Sequence, residues 1–327
     1  MNHPVLSLAL LGALGAASAQ GVPGALDHTS ISGKDYASLT DWARDNRYQF
    51  NRNPGSEIVQ LTTPSSRLTF AVDSQRADLN GVAVYLSLPI ASRGGDIWIS
   101  SLDLQSTIRP ILFPIRSPRA IPVVNICLDP GHGGKDPGNE EGRHKEKEYT
   151  LLLALEVRKL LTAEGVKVTL TRQTDSFVPL PDRPEIAGRR LADLFVSLHF
   201  NAAIANKDEV KGVEVYCLTP AGARSTHAHG DSGDTSVWAG NAFDAKNVLL
   251  AYQIQKSLIR ELPVLNRGVK RARFAVLRTA RMPAVLIEAG FMSHSTESKK
   301  VFDSAYRRQL ARAIVDGILA YKKATEP

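Results

Sequence analysis

The chain predicts an α/β fold, a mostly parallel or mixed sheet with helices on both faces, preceded by a small α+β module. Three observations carry this. From Ile121 onward, short apolar runs alternate with longer segments of helical spacing, the signature of a sheet covered on both sides. Before that point strand signals dominate, the clearest being Val82, Val84, Leu86 and Leu88 in alternation after a hairpin-type Asn80-Gly81. Between the two, Pro114, Pro118 and Pro122 with Arg116, Ser117 and Arg119 make a stiff linker. The expected organisation is therefore a module over 34–113, a linker over 114–122 and a larger domain over 123–324. A length of 327 residues suits two domains at about 150 residues each.

The first 19 residues have the look of a secretory signal. Val5–Ala16 is an apolar core too short to span a bilayer, and Ala17-Ser18-Ala19 is a small-x-small cleavage pattern. The start, Met-Asn-His, lacks the usual Lys or Arg. No cysteine stands directly after the signal, so no lipid anchor is expected there, nor a transmembrane segment in the mature chain. Export to the periplasm or cell envelope is the expectation. The net charge is +7, with 30 basic against 24 acidic residues from residue 120 on. No basic run is interleaved with aromatics, which argues against a nucleic-acid groove; a polyanionic envelope or acidic substrate is the more natural partner. Cys127 and Cys217 fall in strand-like runs. An oxidising compartment permits a disulfide, but two unpaired core thiols serve as well.

Taken in order, Tyr36, Leu39, Trp42 and Ala43 repeat at helical spacing. Strands are expected at 58–61, 68–72, 82–88 and 96–100, with a closing helix at 102–112. In the second part, Val124–Leu128 leads into Asp129-Pro130-Gly131, where Pro130 stops the strand. A helix over 146–164 ends at Gly165. A strand at 166–171, a helix at 183–190 and strands at 194–198 and 213–218 follow. Thr219–Asn247 breaks the rhythm; a helix at 249–262, strands at 274–277 and 284–287 and a helix at 306–321 complete the pattern.

Four residues stand at corresponding places. His132 lies just past the first strand, Glu146 opens the first long helix in E-K-E-Y, His199 ends a strand in V-S-L-H-F-N, and Glu288 ends the strand A-V-L-I-E. Polar residues at the carboxyl ends of different strands converge on one edge of such a sheet. Two His and one carboxylate leave a fourth tetrahedral position for water, the layout of a catalytic zinc site, and a second Glu is free to act as general base. Taken singly, Glu146 could merely favour a helix N-terminus, His199 could be a core His on a backbone carbonyl, and Glu288 an ordinary strand-end carboxylate.

The blocks L-D-P-G-H-G-G-K-D-P-G, V-T-L-T-R-Q-T-D, A-D-L-F-V-S-L-H-F-N-A, G-V-E-V-Y and P-A-V-L-I-E-A-G-F-M-S closely resemble zinc-dependent N-acetylmuramoyl-L-alanine amidases of the bacterial cell wall. The resemblance runs from about Val124 to Tyr321. It implies one Zn2+ per chain held by His132, Glu146 and His199, with Glu288 as the catalytic glutamate. The implied reaction cuts the amide between the lactyl group of N-acetylmuramic acid and L-alanine, Glu288 taking a proton from the attacking water and returning it to the leaving amine. Peptidoglycan is the implied partner, and a protein activator is a further partner class. Gly188 and His294 depart from the usual pattern, where Asn is frequent. In the first module, L-T-D-W-A, N-G-V-A-V-Y-L-S-L-P and I-W-I-S-S-L-D-L resemble the domain named after the amino-terminal region of copper amine oxidases. That likeness implies binding or spacing, not copper, since the segment offers no ligand set.

Arg271, Arg273 and Asn201 are the expected substrate contacts. The two arginines belong to the run Arg267, Lys270, Arg271, Arg273, Arg278 and Arg281, which has no acid between Glu261 and Glu288. Such a run can grip peptide carboxylates or be a solvated face. Thr219–Asn247, with His227, His229 and Asp231, can be a lid or a mobile loop. Two other functions stay open: a zinc peptidase acting on wall peptides, and a non-catalytic wall-binding protein.

Overall fold

The computed structural model describes residues 26–116, 122–226 and 235–326. The expected signal at 1–19 lies outside them, as do 117–121 of the linker and His227, His229 and Asp231. The expected class holds. The centre is a mixed sheet in the order Lys167–Leu170, Asn125–Pro130, Leu194–Asn201, Ala284–Phe291, Val213–Leu218, Asn266–Ala272. The first four run parallel, Val213–Leu218 runs antiparallel to Ala284–Phe291, and Asn266–Ala272 is parallel to Val213–Leu218.

Alternation along the strands gives the sheet two apolar faces. Ile126, Leu128, Val196, Leu198, Val285 and Ile287 point to the larger core, beneath helices Glu146–Ala163, Asp244–Glu261 and Ser304–Thr325. Cys127, Phe195, Tyr216 and Leu286 point to a smaller core, under Asp182–Arg189 and Ala275–Arg278. Cys127 and Cys217 are both buried and unbridged. Burial, with Asp129 adding, pushes the Cys127 thiol up to about 12.

The sheet does not stop at Asn266–Ala272. Val269 pairs with Val84 of Val82–Tyr85, and the sheet continues through Arg76–Leu79, Ser66–Ala71, Ile58–Thr63 and Gln49–Asn51. Asn80 and Gly81, at φ 55° and 85°, form the expected hairpin. The closing helix is Ser101–Asp103, a π-helical stretch Leu104–Ile108 and Arg109–Leu112. Residues of both segments belong to one apolar core.

Beyond the unexpected strands Gln49–Asn51 and Arg76–Leu79, three differences from expectation fall in the second segment. Asn266–Ala272, read as a basic run, is a strand: Lys270 and Arg267 meet Glu214, and Arg271 donates to Ser106 and Thr107. Residues 274–277, expected as a strand, lie at the helical turn Ala275–Arg278, since short apolar runs do not distinguish the two. The irregular stretch after Leu218 is shorter than expected: a 3-10 helix at Ala239–Phe243 leads directly into Asp244–Glu261.

Candidate active site

The strand Asn125–Pro130 delivers Asp129 fully buried into a polar knot. Its carboxylate accepts from Arg183 Nη1 (2.8 Å), Thr171 Oγ1 (2.6 Å) and Ser197 Oγ (2.8 Å). Arg183 also donates to the carbonyls of Pro130 and His132, and Arg172 to those of Pro130 and Gly131. Two buried guanidiniums therefore fix the backbone of the turn on which His132 sits at φ 61°. Gly131 is required at this turn, since a Cβ there would lie 2.3 Å from the His199 ring.

His132, Glu146 and His199 meet, with one ligand atom from each lying within 4.8 Å of the others. Nε2 of His132 is 3.1 Å from Glu146 Oε2, and Nδ1 of His199 is 3.0 Å from Glu146 Oε1. The rings stand edge-on, 4.9 Å apart. The same two Glu146 oxygens are held by further donors: Oε1 by the backbone N–H of Phe200 (3.0 Å), and Oε2 by the backbone N–H of Asn139 and its Nδ2 (both 2.9 Å). Gly138 leaves room here, since its Cβ would lie 2.7 Å from both Glu146 and His132. Burial works to raise the Glu146 carboxyl, but the bonds to His132 and His199 outweigh it and hold the group far below the usual range. The opposite balance raises His132: burial alone lowers it, while Glu146 and Asp136 win.

This donor set suits a borderline divalent cation, with two imidazoles and one carboxylate. Asp136 Oδ2 lies 2.9 Å from His132 Nδ1, which fixes the tautomer and leaves Nε2 as the ligand atom. Glu288 is placed beside this set by sheet register, opposite His199 on the neighbouring parallel strand. Its Oε2 is buried and has no hydrogen-bond partner among the described residues. Burial, then the charges of Glu146 and Glu214, push its carboxyl well above the ordinary range, against Lys270. An unpartnered, raised carboxylate beside a ligand cluster is equipped to take a proton.

Of the expected substrate contacts, Arg271 does not reach this edge. It is fully buried, and its guanidinium donates to Ser106 O (3.0 Å), Thr107 Oγ1 (2.8 Å) and Cys217 Sγ (3.2 Å). Its charge is committed to joining the two segments, so its expected role is corrected. Arg273 ties the base of the 219–238 stretch, with Nη2 2.8 Å from Ala223 O. Asn201 lies by the site, its Nδ2 donating to Glu214 Oε1 at 3.0 Å. His294 is buried and its Nδ1 accepts from the backbone of Thr296 and Glu297 at the start of helix Glu297–Phe302.

Sequence reasoning missed Asp129, Arg172, Arg183 and the Glu214 cluster. Glu214 is 1% exposed and binds Lys270 Nζ (2.5 Å), Arg267 Nε (2.7 Å) and Tyr216 OH (2.9 Å) besides Asn201. Its signal was a lone acid inside the apolar run Val213–Leu218, where a charge needs a buried partner.

Comparison with known proteins agrees with this architecture. Residues 126–320 match the Amidase_3 model, described as N-acetylmuramoyl-L-alanine amidase. A probable cell wall amidase, LytH of Staphylococcus saprophyticus, is 32% identical over 227 residues, 68% of this chain and 65% of that protein. The amidase AmiA of Escherichia coli K12 is 32% identical over 60% of this chain and 75% of its own length. The chain spans less than two thirds of the LytH proteins it matches, 57% for those of Staphylococcus epidermidis. Among solved structures, an amidase from Clostridium difficile 630 superposes with a TM-score of 0.51 at 30% identity, over 62% of this chain and 97% of that one. AmiC2 of Nostoc punctiforme gives 0.51 at 33% identity, over 62% and 99%. The family match runs from the strand that leads into the His132 turn almost to the end of the last helix, more than half of the chain, and this chain belongs to the Amidase_3 family of N-acetylmuramoyl-L-alanine amidases.

Proposed function

We propose that this protein is a zinc-dependent peptidoglycan amidase that hydrolyses the bond between N-acetylmuramic acid and L-alanine of the stem peptide. The observation that carries the proposal is the meeting of His132, Glu146 and His199 beside the unpartnered carboxylate of Glu288. His132, Glu146 and His199 would hold the ion, with Asp136 and Asn139 orienting the first two. A zinc ion held there would supply Lewis-acid chemistry, polarising the amide carbonyl and acidifying a bound water. Glu288 takes the proton of the attacking water at its free Oε2 and hands it to the departing L-alanine nitrogen. Its buried oxygen, with no hydrogen-bond partner among the described residues, is placed to accept and release that proton.

Export to the envelope is part of this proposal. It is supported by the signal-like residues 1–19 and by likeness to a cell wall amidase. Among the described residues no helix is long and apolar enough to cross a membrane. The division into an accessory segment, 34–113, and a catalytic segment, 123–324, is proposed in the same way, the first resembling the copper amine oxidase-type module. Digestion of purified sacculi followed by mass spectrometry of the fragments tests the reaction. New amino groups on L-alanine are expected; new amines deeper in the peptide would make the enzyme a peptidase, and no release would leave a wall-binding protein.

A further inference from the structure

We infer that Arg267 is a specificity-determining residue that receives a carboxylate of the substrate's peptide, on the residue following L-alanine. This rests on the amidase reading above.

Arg267 belongs to the strand Asn266–Ala272, which pairs directly with Val213–Leu218, the one strand that separates it from the Glu288 strand. In register Glu214 lies opposite Glu288, and the pairing with Asn266–Ala272 slips between Val213 and Glu214. The Arg267 side chain crosses that middle strand. Its Nε donates to Glu214 Oε2 at 2.7 Å, and its guanidinium lies 4.9 Å above the ring of Phe291, three residues beyond Glu288. Phe291 stands opposite Asn201, two residues beyond His199. The guanidinium is thus fixed by an ion pair and a ring at the same sheet edge as the two strand residues of the site.

Neutralising Glu214 does not explain it. Lys270 already lies 2.5 Å from Glu214 Oε2, both side chains being 2% exposed. Arg267 is a second cation on one carboxylate, and it remains 24% exposed. Its two Nη groups have no hydrogen-bond partner among the described residues, so the forked face that binds carboxylates in a bidentate manner is open. A cation of that kind beside a hydrolytic site acting on a peptide matches an acidic group on the peptide. Arg271 and Arg273, its neighbours in sequence, have their guanidiniums engaged by the protein itself.

The test uses two soluble substrates, N-acetylmuramoyl-L-alanyl-D-glutamate and its α-carboxamide isostere, with kcat and KM measured separately on the full chain. Wild type is expected to favour the carboxylate by about 10–100-fold in kcat/KM, the worth of one charge-assisted pair. Arg267→Gln should bring that ratio close to one, chiefly through KM on the acid. Arg267→Lys keeps Glu214 paired and covers the case where the first variant fails to fold; it should give an intermediate ratio. A wild-type enzyme that cleaves both substrates without preference overturns the assignment, as does a ratio untouched in both variants. Cleavage of neither substrate by wild type would overturn the amidase reading itself, and with it the assignment.

Discussion

Arg271 and Thr107 are joined by a 2.8 Å hydrogen bond that ties the catalytic sheet to the closing helix of the first segment. The same guanidinium caps the carbonyl of Ser106, so a buried cation in one segment completes the hydrogen bonding of the other. Together with the Val269–Val84 pairing, this makes the first segment a continuation of the sheet rather than a bead on a string.

The junction can be tested directly. Arg271→Met leaves Ser106 O and Thr107 Oγ1 without their buried donor, and each unmet group costs about 1–3 kcal/mol. A drop of several degrees in melting temperature is expected, with metal content unchanged because Arg271 touches no ligand. An unaltered melting curve would show that the bond contributes nothing.

The metal prediction concerns Glu146. Glu146→Gln removes the charge that both histidines face while keeping the Asn139 and Phe200 contacts sterically in place. Zinc measured by elemental analysis should fall from about one per chain to a small fraction, as it should for His199→Ala. Full occupancy in both variants would remove these residues from the ligand set.

Glu288 should separate binding from chemistry. It lies opposite His199 but outside the three-residue ligand group, so Glu288→Gln is expected to keep its zinc. Loss of a general acid–base group costs typically 10²–10⁴-fold, and turnover of a soluble muropeptide should fall by about that much. Wild-type turnover in the variant would mean another group moves the proton.

The contrast between these residues shows what the sequence made legible. His132, His199 and Glu288 each follow an apolar strand run, and strand ends of a parallel sheet converge, so their meeting could be anticipated from pattern alone. Asp129 and Arg183 could not. They are 54 positions apart and fully paired inside the protein, and nothing in an isolated Asp-Pro-Gly or a helical Arg indicates which buried partner it will meet. Arg271 failed in the other direction. A cluster of cations in sequence suggests a surface, yet in a strand alternate side chains leave on opposite faces. Hydrogen bonds from the first segment then absorbed the charge that seemed free. The continuous sheet was hidden for a related reason, since Asn266–Ala272 carries too many charges to look like an interior strand.

The last prediction concerns pH and the Glu214 cluster. Burial works to raise the Glu214 carboxyl, but Lys270 and Arg267 outweigh it and hold it below the usual range, with Tyr216 and Asn201 donating to its other oxygen. Glu288 faces it from the neighbouring strand as the opposing negative group. Because Glu214 binds its proton less readily in the folded chain than in the unfolded one, falling pH protonates the unfolded state first. The stabilisation is therefore complete above the ordinary glutamate value of about 4.3 and is lost as pH falls through the folded value. Glu214→Gln removes the carboxylate that Lys270 Nζ meets at 2.5 Å, and breaking a buried pair from one side should cost about 3–5 kcal/mol at neutral pH. Below the folded value wild type also holds an uncharged side chain at this position, so the difference should shrink as the solution is acidified. Denaturant titrations of both proteins at pH 7, 5 and 3.5 measure it. A gap that stays constant across that range would show that Glu214 is not the charged centre of the cluster.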